Sequence, residues 1–312
     1  MTGPADARAP AGAGPCGGID LGGTKIEARL FDGARAHGVD ARRIPTPTGD
    51  FDAMIAALAA QVAWLRERAS RADLPVGVAL PGAIDPDTGG VFAANIPTGG
   101  RSVAAALTEL TGSAHPVVND AMAFALSEAT FGAGADARVV MGLILGTGIG
   151  GGICIDGALP HRHAGLSVEL GHTGLPARGL NRHGLPALPC GCGRAGCLET
   201  YVSGTGLANL AERLTGTRLR PEDLPTHPEG ERILSAWADL AGEALDTVQL
   251  TLDPDCIVLG GGLSNMLGIE ARLAAALASR TLTPGRLPAI RVARHGDTSG
   301  ARGAALMARA PC

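Results

Sequence analysis

Aromatic residues are scarce in this chain. Only 3% of its 312 residues are Phe, Trp or Tyr, whereas 46% are apolar. There is ample material for a hydrophobic core, but that core must be built from Val, Ile, Leu and Ala. A chain of this length suits one large domain or two lobes.

Basic clusters and long apolar runs are also missing. The formal net charge is −4 and Lys and Arg form no run, which argues against nucleic-acid binding. No apolar stretch reaches the roughly 20 residues that span a bilayer, and the first residues lack the charged-then-apolar order of a signal peptide. We therefore expect a cytoplasmic protein without membrane or nucleic-acid partners, and a disordered Ala/Pro/Gly-rich tail at residues 1–16.

The usual nucleotide-binding fingerprints are absent, although the chain has 47 glycines. No turn ends in the Gly-Lys-Ser/Thr of a P-loop, and none leads directly into a helix as a dinucleotide-binding turn does. Three other glycine turns follow strand-like segments: Gly22-Gly23-Thr24, Gly146-Thr147-Gly148 with Gly150-Gly151-Gly152, and Gly260-Gly261-Gly262. Each alone is typical of a tight turn, but three turns, two of them with Gly-Thr, favour backbone N–H groups that bind nucleotide phosphates.

Two aspartates stand at the ends of predicted strands. Asp20 comes just before the first glycine turn, where a lone Asp is usually a turn-former but could also hold Mg²⁺ through water. Asn119-Asp120 stands where a strand ends and a helix begins, a pair that suits a helix cap. The functional alternative is that Asp120 accepts a proton from a substrate hydroxyl during phosphoryl transfer.

The strand–turn–strand pattern of residues 17–31 returns at residues 139–157. This internal repeat indicates a duplicated α/β architecture with a ligand held between the copies. Helices are predicted over residues 51–69, where Asp50 is placed as the cap, and over residues 232–252.

The lobe boundary is expected near Val118. This gives a small lobe at residues 17–118 and a large lobe at residues 119–297. A final helix at about residues 298–312 is expected to return to the small lobe.

Three of the seven cysteines are clustered, at Cys190, Cys192 and Cys197. In a reducing compartment such a cluster indicates a metal rather than disulfides. With His172 upstream, the three thiolates make a closed tetrahedral set for structural zinc. The alternative is three reduced cysteines in a loop beside a surface histidine.

Several segments together resemble the ROK (repressor, open reading frame, kinase) family of the actin/hexokinase/Hsp70 superfamily. IDLGGTK (19–25) and LGTGIGGG (145–152) are similar to its phosphate motifs, and DPDCIVLGGG (253–262) to its adenosine motif. ELGH (169–172) with CGCGRAGCLE (190–199) resembles the ROK signature. FAANIP (92–97), VVNDAMAFALSEA (117–129), VMGLILGTGIGGG (140–152) and RHGDTSGARGAA (294–305) are similar to the N-acetylglucosamine kinases of that family.

The resemblance implies an actin/hexokinase-like (ribonuclease H-like) duplicated two-lobed α/β fold with an interlobe cleft. It also implies ATP-dependent phosphorylation of N-acetyl-D-glucosamine at its 6-hydroxyl, with Mg²⁺, one structural zinc ion and a homodimer. Asp120 would be the base. The implied sugar contacts are Gly82, Asn95, Asn119, Asp120, Glu169, His172 and Glu199. The implied ATP contacts are Gly18, Asp20 (through Mg²⁺ and water), Gly22, Gly23, Thr24, Lys25, Gly146, Thr147, Gly148, Gly150, Gly151, Gly260, Gly261 and Gly262. The implied zinc ligands are His172, Cys190, Cys192 and Cys197, in a loop spanning residues 172–197.

One position departs from the family pattern. Val168 stands where the family usually has Gly, and a β-branched residue cannot adopt the φ values open to glycine. The rival substrates are therefore fructose, glucose and N-acetylmannosamine. A sugar-sensing regulator without catalysis is a remote alternative, since only about 16 residues precede Gly17 and no DNA-recognition helix fits there.

Overall fold

The computed structural model describes residues 14–33, 36–282 and 285–309. Most of the tail predicted at residues 1–16 lies outside these residues, whereas Cys16 already belongs to the first strand. The described chain divides into two compact units. The first unit comprises residues 14–136, 152–167 and 295–309, and the second unit comprises residues 137–151 and 168–294.

Strands and helices alternate along the described chain, as in other α/β proteins. The strands are β1 (Cys16–Leu21), β2 (Lys25–Asp32), β3 (His37–Pro45), β4 (Val76–Leu80), β5 (Ala83–Ile84), β6 (Val91–Phe92), β7 (Val117–Asn119), β8 (Val139–Leu145), β9 (Ile149–Ile155), β10 (Cys256–Gly260) and β11 (Ala289–Val292). The helices are α1 (Phe51–Arg68), α2 (Val103–Thr111), α3 (Asp120–Phe131), α4 (Ala177–His183), α5 (Glu199–Val202), α6 (Gly204–Thr215), α7 (Gly230–Leu252), α8 (Ile269–Ala278) and α9 (Ser299–Arg309).

The first unit is built on a five-stranded sheet of order β3-β2-β1-β4-β7. The first three strands of this order pair antiparallel, and β1, β4 and β7 pair in parallel. The apolar stripe of α1 is buried in the core of this unit. The Asp50 side chain caps that helix by accepting a hydrogen bond from the Ala53 N–H at 2.7 Å, so the predicted helix and its cap are confirmed.

Helix α9 lies against β1, β4 and α3 in the first unit. Glycines permit this close packing, because a Cβ at Gly18 would overlap the carbonyl oxygen of Ala301 and a Cβ at Gly303 would overlap that of Ala123. The backbone of α9 therefore touches both the strand and the helix beside it. The predicted site residues Asp20, on β1, and Asp120, on α3, are positioned by this packing.

The first unit extends beyond the small lobe expected from sequence. Residues 119–136 and 152–167 group with it. The contacts explain why: α3 packs along α9, and a Cβ at Gly152 would overlap the carbonyl oxygen of Ala121. The chain enters the second unit twice and returns twice, an order that no local sequence pattern signals.

The second unit carries a four-stranded sheet of order β11-β10-β8-β9, in which β10 pairs in parallel with β8 and β11. Its core surrounds α7, whose fully buried Trp237 donates its indole N–H to the Val202 carbonyl oxygen at 2.8 Å. The helix predicted over residues 232–252 is confirmed and begins at Gly230. None of the helices in the described residues is long and apolar enough to cross a membrane.

Candidate functional site

The first glycine turn joins β1 to β2 in the first unit. The Gly22 N–H donates to the Lys25 carbonyl oxygen at 2.9 Å, and the Thr46 hydroxyl donates to the Gly22 carbonyl oxygen at 2.7 Å. A Cβ at Gly23 would lie 3.1 Å from the side-chain nitrogen of Asn95. A predicted sugar contact, Asn95, is therefore packed against a predicted phosphate turn.

Other predicted nucleotide contacts near this turn differ in their surroundings. Thr24 is exposed at the turn. The Lys25 side chain is 43% exposed, and its ammonium lies 3.9 Å from Oε2 of the buried Glu27. Gly18 is instead buried in the middle of β1, beneath α9. Its lack of a side chain serves helix packing, and the structure does not place it in the turn.

Asp20 is a half-buried carboxylate at the end of β1. A Cβ at Gly300, in the first turn of α9, would lie 3.1 Å from its carboxyl group. Across the described residues, no hydrogen bond or ion pair reaches that carboxylate. Burial and the negative charges of Asp120, Glu27 and Asp297 raise the pKa of Asp20 to about 7. A carboxylate held in this way is suited to binding a cation.

Asp120 opens α3 directly after β7. The cap of this helix is Asn119, whose side-chain oxygen accepts from the N–H groups of Ala121 at 2.9 Å and Met122 at 3.2 Å. The Asn119 amide also donates to the carbonyl oxygen of Gly82 at 3.0 Å, and Gly82 has a φ of +97° that favours glycine. Asp120 occupies the first helical turn, where its Oδ1 accepts from the Ala121 N–H at 2.7 Å.

The second and third glycine turns meet in the second unit. They follow β8 and β10, which are adjacent parallel strands and end at the same sheet edge. Gly261 has a φ of +79°, and a Cβ there would lie 2.9 Å from the Gly146 nitrogen. The Gly146 N–H donates to the Gly148 carbonyl oxygen at 3.0 Å, and its own carbonyl accepts from Gly204 at 2.8 Å. Two glycine-rich backbones at one place fit a phosphate cradle.

The remaining predicted contacts in these turns fall into two groups. The exposed or half-buried ones are Thr147, Gly148, Gly150 and Gly262. The buried ones are Gly151 and Gly260, which belong to strands β9 and β10. Only the first group is exposed enough to contact a ligand directly, so fewer positions are accessible than the resemblance implies.

Val168 is accommodated without backbone strain. Its N–H donates to the carbonyl oxygen of Gly151 at 2.9 Å, and its side chain packs against the core of the second unit. The positive-φ residues of the described chain do not include Val168. Replacement of the family's usual glycine therefore requires no left-handed conformation here.

The four predicted zinc ligands come together in the second unit. The ligand atoms of His172, Cys190, Cys192 and Cys197 all lie within 4.8 Å of one another. Cys190 Sγ is 3.7 Å from His172 Nδ1, and Cys192 Sγ is 3.6 Å from Cys197 Sγ. Neighbouring ligands of a tetrahedral zinc are roughly 3.5–3.8 Å apart, given Zn–S of about 2.3 Å and Zn–N of about 2.0 Å. The donor set and its spacing fit a closed four-coordinate metal site.

Glu199 connects this metal-ligand cluster to the second glycine turn. Its Oε1 lies 3.0 Å from Cys190 Sγ and 3.5 Å from His172 Nδ1. A Cβ at Gly148 would lie 2.9 Å from its Oε2. Glu169 directly precedes the short 3-10 turn that supplies His172. The predicted sugar contacts of the second unit therefore lie next to the ligand cluster and one of its phosphate turns.

Residues 173–189, whose path the sequence did not predict, contain helix α4. Arg178 donates to Oε2 of the fully buried Glu243 at 2.6 Å, and Arg182 donates to Oδ2 of Asp239 at 2.6 Å. These ion pairs hold α4 against α7. Sequence reasoning missed them, although the i,i+4 spacing of both the arginines and the acids was an available signal.

The fold has two α/β units with glycine turns at the edges of their sheets, and the acidic residues Asp20 and Asp120 lie in the first unit. These features are those of the actin/hexokinase-like class of proteins. The chain belongs to the ROK family, whose sequence profile matches residues 16–310. The fold class and the family predicted from sequence are confirmed.

Similar proteins cover nearly the whole chain. It is 41% identical over 300 residues to the N-acetylgalactosamine kinase AgaK of Shewanella sp. (strain ANA-3), with 93% of this chain and 95% of that protein covered. It is 39% identical to the N-acetyl-D-glucosamine kinase of Pectobacterium atrosepticum, with 93% and 97% covered. The ROK hexokinase structure from Thermus thermophilus matches with a TM-score of 0.80 and 32% identity, over 94% of this chain and 97% of that one.

Proposed function

We propose that this protein is an ATP-dependent sugar kinase that phosphorylates the 6-hydroxyl of N-acetyl-D-glucosamine. The observation that carries the proposal is the placement of two carboxylates in the first unit: Asp20 lies on β1 beside a phosphate turn, and Asp120 lies in the first turn of α3. The charge of Asp120 contributes to the raised pKa of Asp20. Relatives that are 41% and 39% identical are named as amino-sugar kinases. The products are the sugar 6-phosphate and ADP.

Asp120 is the base in this proposal. The attacking hydroxyl must lose its proton, and a carboxylate within hydrogen-bond reach can accept it while orienting the oxygen. Phosphoryl transfer otherwise needs positioning and charge neutralisation rather than covalent chemistry. One orienting carboxylate, together with the Mg²⁺ of the Mg·ATP substrate, is therefore sufficient.

Asp20 would hold that Mg²⁺, since carboxylates are preferred ligands of this cation. A bound cation would relieve the repulsion that Asp120 exerts on Asp20. Backbone N–H groups of the glycine turns hold the phosphates. Asn95, Glu169, His172 and Glu199 hold the sugar.

His172, Cys190, Cys192 and Cys197 would hold a structural zinc ion. Four protein ligands would leave no open coordination position, so zinc there would stabilise this segment and would not activate water. Its effect on the reaction is to fix the segment that presents Glu169 and Glu199 to the sugar.

Purified protein should therefore contain about one zinc per chain. Cys192→Ser is expected to lower both the zinc content and the melting temperature, because binding of a structural metal contributes directly to folding free energy. Elemental analysis and thermal unfolding measure the two effects. Cys154→Ala, at a buried cysteine outside the cluster, should keep its zinc. A metal-free wild-type protein with full stability and turnover would exclude the zinc.

Gly148→Ala should weaken sugar binding without unfolding the protein. The new methyl group would lie 2.9 Å from Glu199 Oε2, and the end of a flexible side chain can move away at little cost. A displaced carboxylate loses a charged hydrogen bond to the sugar, which raises KM for the sugar by about 10-fold. Gly174→Ala is the matched control, since a Cβ there has no neighbour within 4 Å. An unchanged KM in Gly148→Ala would remove Glu199 from the sugar contacts.

N-Acetyl-D-galactosamine is a second candidate substrate, because the relative of 41% identity is named as a kinase for that sugar. The two sugars differ only in the configuration at C4. Discrimination between them depends on a few hydrogen bonds to one hydroxyl. N-Acetyl-D-galactosamine thus joins fructose, glucose and N-acetylmannosamine, the three alternative substrates that the sequence leaves open.

The deciding experiment measures Mg·ATP turnover with all five sugars at several concentrations. The highest kcat/KM for N-acetylglucosamine supports the proposal, and ³¹P NMR of the product should place the phosphate on C6. If kcat/KM is highest for N-acetylgalactosamine, that sugar is the substrate in place of N-acetylglucosamine. A preference for N-acetylmannosamine, glucose or fructose would support a sugar kinase but reject N-acetylglucosamine as its substrate. No turnover with any of the five sugars would reject the kinase function.

A further inference from the structure

Glu128 is a fully buried carboxylate on the same helix as Asp120. Its Oε1 accepts hydrogen bonds from the backbone N–H of His295 at 2.9 Å and from the Ser299 hydroxyl at 2.8 Å. Its Oε2 accepts from the backbone N–H of Ala133 at 2.9 Å. One side chain therefore joins the end of α3 to the segment that leads into α9.

The segment bound by Glu128 reaches the Asp20 carboxylate. Ser299 is the first residue of α9, and the next residue is Gly300, where a Cβ would lie 3.1 Å from the Asp20 carboxyl group. Asp297, in the same segment, lies near enough to repel the Asp20 charge. A shift in the start of α9 would therefore be felt directly at Asp20.

Helix α9 also contacts both elements that carry the acidic residues of the proposed site. It packs on β1, which carries Asp20, and on α3, which carries Asp120. Both contacts are backbone to backbone, at Gly18 and at Gly303. Such close packing leaves little freedom at these two contacts, and the directional hydrogen bonds of Glu128 add a third point of attachment at the start of α9.

Packing alone does not explain a carboxyl group at the buried position of Glu128. An ionised carboxylate loses its hydration on burial, and an apolar side chain of similar size would fill the space without that cost. Three directional hydrogen bonds and the attraction of the buried Arg302 guanidinium offset part of it. What the carboxylate adds over an apolar residue is a fixed geometry.

We propose that Glu128 is a positioning residue for phosphoryl transfer, which fixes the start of α9 and thereby the placement of Asp20 relative to Asp120. The inference rests on the proposed kinase function. Glu128 does not touch the substrates. It acts through Ser299 and the helix that Ser299 begins.

The test compares Glu128→Ala, Glu128→Gln and Ser299→Ala with the wild type in Mg·ATP-dependent sugar phosphorylation. Glu128→Ala should lower kcat about 10- to 100-fold, because small displacements of reacting groups have effects of this size. Glu128→Gln should lose less, since its amide oxygen still accepts from His295 and Ser299. KM for the sugar should change less than about 3-fold in all three, because none of these residues is a proposed sugar contact.

Ser127→Ala is the matched control. Ser127 is equally buried on the same helix, and its hydroxyl has no hydrogen-bond partner among the described residues. It should keep the wild-type kcat. If Glu128→Ala does not fold, the test rests on Glu128→Gln and Ser299→Ala, which remove fewer hydrogen bonds.

If Glu128 had a purely structural role, the variants would show a different pattern of kinetic and stability changes. Lower melting temperatures with a wild-type kcat, measured well below unfolding, would overturn the inference, as would a loss of kcat/KM that arises only from KM for the sugar. An active wild type with unaffected variants overturns this inference alone. A wild type that phosphorylates none of the sugars overturns the kinase function and this inference together.

Discussion

Asp120→Asn should lower kcat by about 10²- to 10⁴-fold, the usual contribution of a general base. The carboxamide has nearly the size of the carboxylate, and its oxygen can still accept the hydrogen bond from the Ala121 N–H. It cannot take a proton from the sugar hydroxyl. The cap of α3 is provided by Asn119, so the helix and KM for ATP should change little. Steady-state kinetics and thermal unfolding measure these effects.

A matched control is Asp50→Asn at the start of α1. It makes the same chemical change at a helix N-terminus, and Asn caps a helix about as well as Asp does. Both kcat and stability should stay near wild type. Near-normal turnover in Asp120→Asn would leave the proposed reaction without a proton acceptor at this position.

The parts of the candidate site that sequence reasoning predicted are local in the chain. The predicted zinc ligands His172, Cys190, Cys192 and Cys197 fall within one short stretch of the chain, and their residue types are those that bind zinc. The glycine turns follow recognisable apolar strands, and strand pairing then brings the second and third turns together. Local spacing and residue chemistry were sufficient for these features.

The features that sequence reasoning missed depend on contacts between residues that are far apart in the chain. Glu128 and Ser299 are 171 positions apart, and neither residue is unusual in its local sequence. Gly18 resembles part of a phosphate motif, but α9 packs over it. Residues 119–136 belong to the first unit because their helix, α3, also packs against α9. Hydrophobic periodicity and composition carry no information on which element packs against which, so these features arise only from the tertiary fold.

Asp20→Asn should raise stability in Mg²⁺-free solution. The folded protein raises the pKa of Asp20 from 3.8 to about 7, chiefly through burial and then through repulsion by Asp120. Between these pH values the folded state holds a proton that the unfolded state has released. The free energy of unfolding of the wild type therefore falls as the pH rises from about 4 to about 7, and the loss is complete above that range. Asn at this position does not ionise, so the free energy of unfolding of Asp20→Asn does not fall in this way.

We expect Asp20→Asn to melt roughly 2–5 °C above wild type at pH 8, with a difference that shrinks as the pH falls toward 4. Asp73→Asn is the control, because Asp73 is an exposed carboxylate whose pKa its ion pair with Arg71 lowers. It should show no gain at pH 8 and should retain wild-type turnover. Thermal unfolding across this pH range measures both variants. A lower melting temperature of Asp20→Asn at pH 8 would contradict the destabilising charge.

The same substitution should lower kcat at least about 100-fold, because charge neutralisation by a correctly placed metal is worth several kcal/mol in a phosphoryl-transfer transition state. Added Mg²⁺ should stabilise the wild type more than Asp20→Asn, since only the wild type has a carboxylate whose repulsion the cation relieves. A variant that is both more stable and fully active would exclude Asp20 from metal binding. In the proposed function, the charge that weakens the free protein is thus the one that would hold Mg²⁺ at the phosphate turn, and activity would be the reason to retain it.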